Sequence, residues 1–68
     1  MSKLNFYTIL DYQIQVLKDL ENLEFYLYRS PNVFDQTKMD LVTEAKKKMQ
    51  EFSSYLEDRE KELYPEED

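Results

Sequence analysis

The side chains of this chain that could do chemistry are almost all carboxylates, amines and phenols. Fifteen acids stand against nine bases, with six tyrosines and four phenylalanines, and there is no cysteine, histidine or glycine. Each absence removes a class of activity. Nucleophilic triads need a base such as histidine beside the serine or cysteine. Structural zinc sites need thiolates or imidazoles, and di-metal bundles need Glu-x-x-His pairs. Phosphate-cradling loops need glycine. Carboxylate pairs remain, but acid–base work requires them to sit in a pocket that separates their pKa values. Asp58 and Glu62, four residues apart on a surface helix, have no such enclosure, and there is no Asp-rich calcium loop. The expectation is a protein that is not an enzyme and that carries no cofactor and no metal.

What the carboxylates can do is attract positive charge. The net charge is −6, and seven of the fifteen acids fall within residues 57–68. A net negative chain repels nucleic acid and anionic membrane, so neither is an expected direct partner. Lys46-Lys47-Lys48 hints at a basic face, with Glu44 and Glu51 close by, and is read chiefly as a solvated surface. The candidate partner-binding residues are Glu51, Glu57, Asp58, Glu60 and Glu62, with Tyr55 as a packing anchor among them. They would draw a basic DNA-binding protein to the end of the chain; the plainer reading is a solubilising terminus. The aromatics offer a second possibility. Phe25, Tyr26 and Tyr12 lie off the main apolar stripe, and such side chains supply large contact area with little entropy to lose. They are either contacts between copies or a docking point for a foreign protein.

Two heptad patterns must position these residues. One runs Phe6, Ile9, Gln13, Val16, Leu20, Leu23, Leu27; the other runs Val42, Ala45, Met49, Phe52, Leu56, Arg59, Leu63. Steps of three and four residues place each set on one side of an α-helix. Ser30-Pro31-Asn32 separates them, and the residue before proline is pushed out of helical geometry. The expected fold is all-α: one domain over 1–68, with helix 1 at about 5–29, a turn at 30–35, helix 2 at about 36–63 and an acidic tail at 64–68. Asn5 and the Thr8–Asp11 pair are candidate caps for helix 1. Asp35 is the favoured cap for helix 2, ahead of Ser30 and the Thr37–Asp40 pair, with Val33 and Phe34 stapled beneath the turn. Glu44–Lys48 and Glu57–Lys61 are expected as surface pairs on helix 2.

A chain this short seldom gains more than about 3–5 kcal/mol from one core. With disulfides and metal excluded, association is the remaining source of stability. Helix 1 is apolar well beyond one stripe, as expected of a helix with more than one neighbour. The hairpin is therefore expected to form a homodimer, a four-helix bundle with a dimer core of Phe6, Ile9, Val16, Leu20, Leu23, Leu27, Met49, Phe52 and Leu56. Gln13 and Arg59 interrupt the stripes. Gln13 is either a water-bridged contact or a device that fixes the register, and Arg59 lies either at a frayed end or in the same role. Residues 1–5 lack an apolar core of signal-peptide length, and no run approaches the ~20 apolar residues of a membrane span; a soluble, cytoplasmic protein is expected.

The length, heptads, short turn and acidic tail resemble the plasmid copy-number hairpin that dimerises into a four-helix bundle and binds paired RNA loops. Helix 1 departs from that pattern because it lacks the basic residues that would grip RNA. Brevity, acidity, abundant tyrosine and the lack of Cys, His and Trp also resemble small bacteriophage proteins made to disable host machinery. That resemblance implies inhibition of a basic host protein in a bacterial cytoplasm, for example an HU-type nucleoid protein whose DNA-binding surface is occupied by acidic side chains. The alternative is a helical regulatory adaptor that docks through helix 1 aromatics.

Overall fold

The computed structural model describes residues 2–30 and 32–65. Two helices pack side by side as an antiparallel hairpin: α1, Lys3–Tyr28, and α2, Gln36–Leu63. No strand occurs among the described residues. Pro31, expected to break the chain, and Glu66, Glu67 and Asp68, the end of the expected acidic tail, lie outside the described residues.

Local hydrogen bonding sets the helix ends. Ser2 caps α1, its hydroxyl accepting from the Asn5 amide at 3.2 Å, so the helix begins two residues before the expected position and Asn5 is donor rather than cap. The expected Thr8–Asp11 cap does not form, because Thr8 lies inside the helix and donates to the Leu4 carbonyl at 2.9 Å. Asp35 caps α2 as expected, accepting from the Thr37 amide at 3.2 Å. The Val33–Phe34 staple is not made. Val33 is bent into the turn by the hydrogen bond its amide donates to the Ser30 carbonyl, and both side chains are exposed.

Contacts between Phe6 and Tyr64, Glu24 and Lys46, and Tyr28 and Asp40 fix the register of the two helices. It sets Gln13 level with Leu56, and Val16 level with Phe52 and Ser53. Phe6, Met39, Leu56 and Gln13 are the buried side chains. Half-buried Leu10, Leu17, Leu20 and Leu27 continue the contact along α1, and Val42, Met49 and Ser53 along α2.

This seam differs from the predicted one in every second step. Phe6, Gln13, Leu20 and Leu27 are shared with it. Between them the structure turns Leu10, Leu17 and Glu24 inward and leaves Ile9, Val16 and Leu23 outside. On α2, Lys46, Ser53 and Glu60 are turned toward α1, while Ala45, Phe52 and Leu63 are outside. The reason is geometric. A helix meets one neighbour along a strip narrower than its apolar arc, so three apolar positions per heptad cannot all face a single partner.

Candidate protein-binding surfaces

The seam itself is partly polar. Near the turn, Glu24 accepts from the Lys46 ammonium at 2.6 Å and from the Thr43 hydroxyl at 2.6 Å. The hydrogen bond from Lys46, then that from Thr43, holds the Glu24 carboxyl below its ordinary range, and the same bond raises Lys46 above its own. Thr43 gives its single proton to Glu24, so toward Tyr28, 3.2 Å away, it can only be an acceptor, the alternative to Asp40 for the one Tyr28 proton. Gln36 donates to Asp40 at 2.8 Å alongside. The bonds of Glu24 and Tyr28 tie α1 to α2 at the closed end. At the open end, Tyr64 packs against Phe6 and Tyr7 at centroid distances of 5.6 and 5.9 Å, with the Lys3 ammonium 5.2 Å from its ring. Between the two ends sits Gln13. It is 4% exposed, and neither Nε2 nor Oε1 has a hydrogen-bond partner. That burial excludes an open, solvated Gln13 and leaves the water-bridged contact and the register device.

One side of the hairpin is apolar and uncovered. Ile9, Val16 and Leu23 of α1 and Phe52 and Leu63 of α2 are 37% to 47% exposed. They share a side: Ile9, Phe52, Arg59 and Leu63 line one groove of about 330 Å³, floored by Phe6 and Leu56. Tyr12 and Tyr26 border it on α1, and Leu41 and Tyr55 on α2, all more than half exposed. Phe52 and Tyr55 stack with centroids 6.0 Å apart. Of the nine residues expected in a dimer core, Phe6 and Leu56 are already buried within the hairpin, and Leu20, Leu27 and Met49 are half-buried. Ile9, Val16, Leu23 and Phe52 are the four that stand open.

The acidic candidates divide by helical position. Glu51, Asp58 and Glu62 fall within one narrow sector of α2, with Glu44 a heptad before them and Tyr55 on the edge toward the apolar side. All of these are exposed. Glu57 lies on the other flank, and Glu60 is half-buried toward α1, its carbonyl accepting from the Tyr64 amide at 2.8 Å. Glu62 pairs with Arg59 at 2.5 Å, but the expected Glu44–Lys48 and Glu57–Lys61 pairs do not form. Only two ion pairs occur among the described residues, those of Lys46 and Arg59. The lysine triplet is broken by the fold, because Lys46 turns inward to Glu24 and leaves Lys47 and Lys48 outside. The pairing of Lys46 was not evident from sequence, although its heptad relation to Ser53 and Glu60 marks the same side.

The aromatic group on α1 is also split. Phe25 and Tyr26 meet edge to face at 5.3 Å, and the Arg29 guanidinium lies 5.0 Å from the Phe25 ring. Tyr26 borders the apolar side with Tyr12, whereas Phe25 belongs to the far side with Ile14. Among the described residues no group of acidic side chains is placed to hold a metal ion, and no helix is long and apolar enough to cross a membrane. No family model, curated protein or solved structure matches the chain.

Proposed function

We propose that the protein is a non-enzymatic interaction protein that acts as a homodimeric four-helix bundle, and that the acidic side of α2 binds a basic protein at the surface that protein uses for nucleic acid. An HU-type nucleoid protein of a bacterial host is the kind of target the composition suits, which would make the chain a phage-type inhibitor. The observation that carries this reading is the sector of Glu51, Asp58 and Glu62, exposed along one side of a continuous helix with Glu44 in the same row. A row of unburied carboxylates on a rigid rod presents charge without needing to reorganise, and such charge steers association with a basic cleft. Glu57 and Glu60 are peripheral to that row.

Exposed rings favour a second reading. Phe25, with Ile14 on the same side and both more than half exposed, offers an apolar docking point for the helices of a regulatory partner. One experiment separates the two. A variant with Glu51, Asp58 and Glu62 changed to the amides is titrated against a purified HU-type protein, in competition with duplex DNA and across a range of salt. Wild type is expected to displace the DNA, most effectively at low salt. The amide variant should bind about 10²-fold more weakly, a difference of roughly 3 kcal/mol, while Phe25→Ala binds as wild type does. Undiminished binding by the amide variant together with loss in Phe25→Ala replaces the charge reading with the adaptor.

A further inference from the structure

The uncovered apolar side of the hairpin is large enough for an interface. The accessible surface of the chain is 5701 Å², whereas a compact monomer of 8.4 kDa exposes about 4,600 Å². The excess of about 1,100 Å² is more than the ~800 Å² each partner gives up in a standard protein interface. Ile9, Val16, Leu23, Phe52 and Leu63 gather large apolar side chains on one side of that surface.

We propose that a second copy of this chain covers this side, related to the first by a two-fold axis running along the helices. The proposal rests on the dimeric reading above and adds the axis. An axis in this direction keeps every residue at its own level, so α1 of one copy lies against α2 of the other in the register already seen within the hairpin. Leu23 then faces Ala45 of the second copy and Val16 faces Phe52, a small side chain opposite each larger one. Ile9 faces the aliphatic stem of Arg59, whose charged head stays at the rim with Glu62. Just outside these, Asp19 comes level with Lys48 and Tyr12 with Tyr55, so the edges match in charge and in apolar character. An axis across the helices would instead set α1 against α1, where Asp19 has no cation to meet.

The chain has no cysteine, so introduced thiols report the arrangement without background. Leu23→Cys and Ala45→Cys chains are mixed, oxidised and resolved, beside Val16→Cys alone; sedimentation equilibrium of the wild type gives the mass. The expected result is a dimer in which the mixed Leu23–Ala45 disulfide dominates and Val16→Cys does not link to itself. Disulfides close only when Cα atoms come within about 7 Å, so the products discriminate. A dimer in which Val16→Cys links to itself overturns the axis and leaves the dimeric reading standing; a monomer overturns both.

Discussion

At the scale of single residues, the Glu24–Lys46 pair gives the hairpin a definite response to pH. Glu24 titrates below its ordinary 4.5 in the folded chain, so its contribution is present above that value and is lost as pH falls through the lowered pKa. Lys46 titrates above its ordinary 10.5, so its contribution is complete below that value and is lost as pH rises through the raised pKa. Both partners are therefore favourable between about pH 4.5 and 10.5. The pair lies at the edge of the seam with some solvent contact, which keeps the effect modest. Glu24→Gln should flatten the acid limb of a melting-temperature profile relative to wild type, measured by circular dichroism in steps from pH 7 to pH 3. An acid limb unchanged by Glu24→Gln would show that other carboxylates set it.

At the scale of elements, two substitutions separate caps from core. Asp35→Ala removes the side chain that accepts from the Thr37 amide and should destabilise by about 1 kcal/mol, read as a lower denaturation midpoint with α2 intact. Leu56→Ala empties a buried position and should remove about 2–5 kcal/mol, enough to abolish most helical signal at 37 °C in so small a chain. Lys18→Ala, on an exposed position, is the matching control. These elements were legible in sequence to different degrees. The limits of α2 follow from Asp35 and the heptads, and agree with the structure at both ends. Sequence brackets the start of α1 only between Ser2 and Thr8, because Ser2, Asn5 and Thr8 are all good cap types, and the backbone decides that Ser2 is used. Apolar periodicity identified Ile9, Val16 and Leu23 as positions that seek cover. It could not say which neighbour covers them, because a heptad records the sum of a helix's contacts. The inward turn of Glu24 and Lys46 was hidden for the related reason that each looks like a surface residue until its opposite is known.

At the scale of the whole molecule, the hairpin is a rod of 53 × 22 × 16 Å with a radius of gyration of 15.7 Å, against about 11 Å for a compact domain of this length. Its internal seam mixes leucines with Gln13, Glu24, Lys46 and Ser53, while the carboxylates of its outer apolar side, Asp19 and Glu62, stand only at the edges. If a second copy supplies the missing cover, the melting temperature should climb as protein concentration is raised. Scanning calorimetry over a hundredfold dilution series checks this, and a constant melting temperature would count against self-association. The rod also has a definite footprint. At 3.4 Å per base-pair step, its 53 Å equals the length of about 16 base pairs of duplex DNA. A basic protein whose DNA track is no longer than that would be capped end to end by one bundle, while a longer track would take up bundles in series. The number bound at saturation would then measure the length of the target's DNA-binding track.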